Sequence, residues 1–354
     1  MQGNVFHKRL RMARKMRMLS MDNLVALMNG AISKQAISKY ERGLMNPRPH
    51  QVSMLAQALQ VPEEYFSTTV WSINKVKFRC KGDASNNWLD TFTCTVNNKM
   101  NRYKELETIL NIYPEFVNPL THFNLKSIDQ IEEITTRLRN KWQIGIHPIM
   151  SITNLLEQYG IMIVHVNVEK KEILGLSACI ENQRPIIAVN NFCHSTVVRK
   201  RFTIAHELAH ILLSDKAHKT IGEKEFERLC ERFAGSLLCP ASVMFEYLGR
   251  QRSTLCMEEL IYLKETYGIS IAALVHRCKD LGIISQEYYS YIFENHIKNN
   301  KLEYGWGNYP IQESENRFYS LICRASAEGL LTEQETEEFS GILPQHSVKT
   351  YNVL

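Results

Sequence analysis

The sequence predicts an α+β protein with an all-α N-terminal domain, a middle part built from a small sheet and two apolar helices, and a helical C-terminal region. Three observations carry this. Residues 5–66 are short helix-length stretches separated by capping and turn residues. Three strand-like runs between residues 161 and 190 stand just before an apolar helix. From Leu260 onward the apolar spacing is again helical.

Ser20 starts a helix through Met28, and Asn29-Gly30 breaks it. Ser33-Lys-Gln-Ala-Ile-Ser-Lys-Tyr-Glu-Arg42 follows, with Ser33 as N-cap and Gly43 as the stop before Asn46-Pro47. Ala36, Ile37, Tyr40 and Glu41 are expected to face inward, so Lys34, Gln35, Ser38 and Lys39 project outward. Those outward side chains suit base edges and phosphates. The pattern resembles a lambda-repressor-like (XRE) helix-turn-helix over residues 5–66, closed by helices at Leu55–Leu59 and Val61–Phe66. It departs at Met21, where such domains commonly carry a phosphate-binding glutamine, and in a longer turn at residues 29–32. The resemblance implies a double-stranded DNA operator as partner and a homodimer reading paired half-sites.

Charge distribution agrees. Residues 1–66 carry a net charge of +6, whereas the rest of the chain carries −1. The cluster Lys8, Arg9, Arg11, Arg14, Lys15 and Arg17 reads, beside a helix-turn-helix, as a phosphate-facing surface.

In the connector, Lys75–Cys80 and Leu89–Thr95 alternate like strands around a turn-rich stretch and predict a β-hairpin, across which Cys80 and Cys94 could meet. Arg102–Leu110 and Ile128–Lys141 read as amphipathic helices. Ile161–Val166, Gly175–Ile180 and Pro185–Asn190 then supply a small sheet, whose edge beside the next helix would allow an extended peptide to pair. His165 and His194 are read as structural or exposed rather than catalytic.

That helix holds His206-Glu207-Leu208-Ala209-His210 within an apolar run from Arg201 to Leu213. Positions i and i+4 share a helix face, so both imidazoles can reach one divalent ion, while Glu207 lies about 100° round beside an open coordination position. This suits hydrolysis, with Glu207 taking the proton of a water and passing it to the leaving amine. Phe202, Ile204, Ala205, Leu208, Ala209, Ile211, Leu212 and Leu213 predict burial, and three buried ionisable groups need partners. A catalytic ion also needs a third protein ligand. Lys216 stands where an extended pattern has histidine, and His218 is out of register. Downstream, Cys230, Phe233, Ala234, Leu237 and Leu238 form one face of a second helix, whose Ala234 and Gly235 would let it approach the first closely. Glu223, Glu227 and Glu231 on that helix are candidate ligands, with Glu227, one turn before the stripe, preferred.

Residues 130–245 resemble the ImmA/IrrE family of metallopeptidases. In that family Arg-Phe-Thr-Ile-Ala-His-Glu-Leu-Ala-His is followed by a helix of the form Glu-x-x-Ala-Asn-x-Phe-Ala-x-x-Leu-Leu-Met-Pro. The chain keeps Glu227, Phe233, Ala234, Leu237, Leu238 and Pro240 in register and departs at Cys230, Glu231 and Cys239. The resemblance implies a zincin-like domain with zinc, or manganese, on His206, His210 and Glu227, and Glu207 as general base. It further implies site-specific cleavage of a repressor, of the product of a neighbouring gene, or of the chain itself. The rival reading is a non-proteolytic regulator or antitoxin-like protein with a structural or sensing metal site.

The remaining bounds are broad. No segment approaches the roughly 20 apolar residues of a membrane span, and Met1-Gln-Gly-Asn does not open a signal peptide, so no membrane partner and a cytoplasmic location are expected. Nine cysteines without CxxC spacing predict free thiols. Leu260–Gly268 and Ser270–Gly282 have helix-turn-helix spacing but no strongly basic face, and are expected to pack on the peptidase core. Arg317–Gly329 and Thr332–Phe339 read as helices, and the last ten residues as a fraying end. The expected domains are 1–67 (helix-turn-helix), 68–125 (connector), 126–250 (peptidase) and 251–354 (helical).

Overall fold

Capping side chains set the helix starts in the first 66 residues. The order is α1 (Phe6–Met16), α2 (Met21–Leu27), α3 (Lys34–Glu41), α4 (Pro49–Leu59) and a 3-10 turn at Glu63–Phe66. Ser20 Oγ accepts from Asn23 N at 2.9 Å and Ser33 Oγ from Ala36 N at 3.2 Å, which satisfies amides that α2 and α3 leave unpaired. The longer turn is made by Asn29 and Gly30, both at positive φ, and Gly43 at φ +68 ends α3. Leu10, Leu24, Ile37, Tyr40, Leu55 and Phe66 close one core.

The computed structural model describes residues 5–80, 82, 84–121, 123, 125, 127–170, 172–181, 183–194, 196–217 (side chains to 214) and 222–341. His218, the side chain of Lys216 and the last ten residues lie outside the described residues. The chain divides into two units, the first of Met1–Asn74, Gly82–Tyr113 and Arg317–Leu354, the second of Lys75–Lys81 and Pro114–Asn316.

The expected β-hairpin does not form. Its first half is strand β1 (Ile73–Cys80), but Leu89–Thr95 lies inside a 24-residue helix, α5 (Asn86–Ile109). The alternation of threonines is real but local. Over the longer window Phe92, Val96, Met100, Tyr103 and Leu106 repeat at helical spacing and are buried. Thr91, Thr93 and Thr95 return their hydroxyls to carbonyls one turn back, at 2.9, 2.8 and 2.9 Å. Cys80 and Cys94 are free thiols, as are the other seven cysteines.

In the second unit the order after β1 is α6 (Ile131–Lys141), α7 (Ile152–Gln158), β2 (Met162–Val166), β3 (Ile173–Ile180), β4 (Arg184–Asn190), α8 (Val197–Ala217), α9 (Glu223–Leu238), α10 (Ala241–Leu248), α11 (Met257–Tyr267), α12 (Ile271–Asp280) and α13 (Gln286–Ile292). The sheet runs β1-β3-β4-β2. Strand β2 is parallel to β4 with Met162 opposite Ile186, and β3 is antiparallel to it with Gly175 opposite Val189. All described side chains of β2 and β4 are buried, as befits covered strands. Helix α8 lies on β3 and β4, and Gly175 permits this, since a Cβ there would sit 2.6 Å from Ala188 O and 3.4 Å from the Thr203 methyl. One core joins Ile163 and Ile187 of the sheet to Leu208, Phe233, Leu263 and Leu274 of the helices.

Arg201 fixes the base of α8. Its guanidinium is fully buried, pairs with Glu313 at 2.5 Å and donates to carbonyls of Gly268 and Ile149. Glu313 in turn accepts from Ser151 Oγ and from the first amides of α7, at 2.8–3.0 Å. Gly268 has no alternative, because at φ +64 a Cβ would lie 2.4 Å from Arg201 Nε. Helices α11 and α12 pack into this core, as their weakly basic faces suggest. The close approach expected of Gly235 is made to Arg277 of α12, not to α8.

The chain then returns to the first unit with α14 (Asn316–Ala327) and α15 (Glu333–Ser340). Phe318 packs on Tyr103 at 5.0 Å, and Arg102 stacks 4.0 Å over Phe339.

Candidate metal centre and DNA-binding surface

Helices α8 and α9 bring three donors to one point. His206 Nε2 lies 3.1 Å from His210 Nε2, and the two are 3.3 Å from Oε2 and Oε1 of Glu227. Metal bonds of roughly 2.0–2.1 Å at tetrahedral angles require donor separations of roughly 3.3–3.4 Å, so the three fit one ion. The electrostatics agree. Burial lowers the His206 imidazole to about 3, leaving a neutral ring, and the imidazoles hold the Glu227 carboxyl far below the usual range. Lone pairs thus converge where a cation would give each its partner.

Glu207 is buried, and neither carboxylate oxygen makes a hydrogen bond of good geometry, although the Ser177 hydroxyl stands near enough to act on it. Burial pushes its carboxyl up, against the pull of His210, Arg79 and Ser177. A carboxyl whose proton affinity is raised in this way is a stronger base toward a neighbouring water. Both His Nδ1 atoms are buried without a protein partner among the described residues, so the His210 ring is set by packing, edge-on to Phe226 at 5.4 Å.

One donor escaped the sequence reading. The buried Cys230 thiol lies with the two imidazoles in a group whose ligand atoms are all within 4.8 Å of one another. The signal was there, since residues 227 and 230 share a helix face. Glu223, Glu227 and Glu231 are all exposed on α9 and outside that group of three, but of these acids Glu227 is the one whose oxygens reach the two imidazoles among the described contacts. His194 is structural, its Nδ1 2.7 Å from Asn190 O and its Nε2 2.9 Å from Thr203 Oγ1. His165 lies buried on β2, away from that group. A cavity of about 1180 Å³ is lined by Arg79, Phe202, Thr203, Arg228 and Glu231, among others.

On the first unit, Lys34, Gln35 and Lys39 are exposed and Ser38 half-exposed on one face of α3, with Ile37 and Tyr40 buried opposite. Lys34 Nζ is held by Asp22 at 2.7 Å, which tethers α3 to α2. Arg42 and Arg48, exposed beyond the end of α3, are further cations that the sequence reading passed over. The α1 cluster corrects the expectation of a phosphate-facing surface. Arg9 is buried and donates to Thr68 O and Thr69 O, while Arg14 is buried in a two-pronged bond to Glu41 at 2.5 and 2.7 Å. Arg11 and Lys15 face Asp90, and Arg17 donates to Ala58 O. Of the six, Lys8 remains as an exposed cation without such a tie among the described contacts.

Family profiles match both parts, a helix-turn-helix over residues 10–66 and an IrrE N-terminal-like domain over residues 156–279. The chain is a helix-turn-helix domain fused to an IrrE-type metallopeptidase-like domain. No curated protein matches it. The IrrE-type match extends to residue 279, within α12. Among the described residues, no helix is long and apolar enough to cross a membrane.

Proposed function

We propose that the protein is a transcriptional regulator that binds an operator through α3 and cuts a repressor, a partner protein or itself with a metal-dependent endopeptidase site. The convergence of His206, His210 and Glu227 at 3.1–3.3 Å, with buried Glu207 beside it, is the observation that carries this reading. Zinc, or manganese, held there would polarise the scissile carbonyl and acidify a water. Glu207 would take the proton of a water beside it and pass that proton to the leaving amine. The buried surroundings keep bulk water from competing for the carboxylate.

A second reading has its own observation. If Glu227 and Cys230 both bind the ion, the histidines complete four ligands and close the site, which describes a structural or sensing centre. Purified protein should contain one metal ion per chain and, given zinc or manganese, should shorten the product of the neighbouring gene. Stoichiometric metal with no cleavage of that product, of other bound repressors or of the chain would favour the closed centre.

A further inference from the structure

The β3 edge of the expected sheet is not open, and the strand that closes it, β1, becomes an edge strand of the four. Strand β1 pairs with β3 there, and the chain itself supplies that strand. Alternate residues of a strand share a face, and Lys77 and Arg79 on β1 bracket the metal-binding turn of α8. Lys77 Nζ donates to Ser214 Oγ at 3.1 Å, one turn beyond His210, and stands 5.4 Å over the ring of Phe226, next to Glu227. The Arg79 guanidinium lies 5.8 Å over Phe202, one turn before His206, among the charges of Glu207, Glu231 and Glu227. Residues 75–80 therefore run past the metal turn in the position that a peptide takes when it binds by strand addition.

Connectivity adds an independent observation. Within the first 113 residues, Lys75–Lys81 is the stretch that clusters with the second unit, and the chain on both sides clusters with the DNA-binding unit. The chain thus enters and leaves residues 75–81 from the first unit.

Resting on the peptidase reading, we propose that β1 is a built-in pseudosubstrate: it covers the metal centre in the resting chain, and the segment that replaces it is an extended peptide with cationic side chains at alternate positions. The acids Glu227 and Glu231, which with Glu207 lie near enough to act on Arg79, would receive those cations. A docked strand in cis lowers the apparent affinity for one in trans by the fraction of time the lane is free.

The test uses zinc-loaded full-length Glu207→Gln protein, in which binding is read without cleavage. A fluorescein-labelled peptide with the sequence of residues 74–82 is titrated into it and into the same chain carrying Lys77→Glu and Arg79→Glu. Anisotropy should show the peptide binding the loosened chain on the order of tenfold or more tightly than the parent. A peptide with glutamate in place of both cations should bind neither. Hydrogen exchange of residues 75–80 in the parent should speed up when the unlabelled peptide is in excess, and this arm stands even if the double variant does not fold. Equal, weak binding to both folded chains, or exchange of β1 as slow as that of β4 and unmoved by peptide, would make β1 a fixed fourth strand and overturn the proposal. Peptide capture by the loosened chain without any cleavage once Glu207 is restored would instead overturn the peptidase reading and leave the lane in place.

Discussion

Glu207 and Glu227 are both acids of the same centre, yet their surroundings separate them. Glu227 points both oxygens at imidazole nitrogens, whereas Glu207 makes no hydrogen bond of good geometry, and on the proposed reading the first is the ligand and the second the base. Replacing His206 or His210 by alanine should abolish stoichiometric metal, while Glu207→Gln should keep the metal and lose cleavage; metal analysis with a cleavage assay reads both. Metal lost in Glu207→Gln but kept in Glu227→Ala would reverse the two roles, and metal lost in Cys230→Ala would support the closed centre. Arg14 carries a prediction of stability instead. Removing one side of its buried pair with Glu41 strands the other charge, so Arg14→Ala should cost the helix-turn-helix about 3–5 kcal/mol in a denaturant titration. His194 gives a pH dependence. Burial lowers its imidazole to about 4 from 6.5, so the unfolded chain binds its proton first as pH falls. The stability it contributes is present above pH 6.5 and is lost on the way down to about pH 4, after which the slope ends. A His194→Gln variant should show a flatter melting-temperature profile over that window.

At the scale of elements, α3 is legible because its cap, its buried stripe and its exposed stripe all agree. Gln35→Ala should lower the preference for the operator over random DNA by about 1–3 kcal/mol. Lys39→Ala should weaken binding to all sequences and flatten the salt dependence, as loss of a phosphate contact does. Operator affinity unchanged in a chain with Lys34, Gln35 and Lys39 all replaced by alanine would remove α3 as the reading helix. The α1 cations teach the opposite lesson. Six basic residues in ten look like a DNA-facing surface, yet Arg9 and Arg14 serve carbonyls and Glu41 inside the domain. Long side chains can turn a basic stripe inward wherever acceptors wait, and periodicity does not report acceptors. Strand β1 and α5 show the same limit, since a short alternating run is decided by the partner it finds, here β3 for one half and a helical core for the other.

For the whole molecule, fusion places a peptidase-like domain beside a DNA-binding one, which on the proposed reading would make cleavage of a co-bound repressor effectively intramolecular. The Glu207→Gln chain should still bind the operator yet leave the promoter locked under inducing conditions, with no shortened protein on a blot. A reporter strain carrying wild type or variant decides this. Normal induction by the variant would remove proteolysis from the mechanism.

Sequence by itself determined the two functional parts, because each rests on local chemistry: caps and an exposed polar stripe in residues 20–43, and two imidazoles one turn apart beside a glutamate in residues 206–210. Its resemblance to known metallopeptidases also singled out Glu227 as the proposed third ligand. What needed the tertiary structure was everything set by partners far along the chain. Cys230 joins the metal cluster only because α9 crosses α8 with that face inward, and Arg201 meets Glu313, 112 residues away, in a fully buried pair. The return of α14 and α15 to the first unit, and the capture of β1 by β3, are likewise choices among long-range partners. Such choices depend on which surfaces fill each other's gaps, and that information is spread over the whole chain rather than written at either contact.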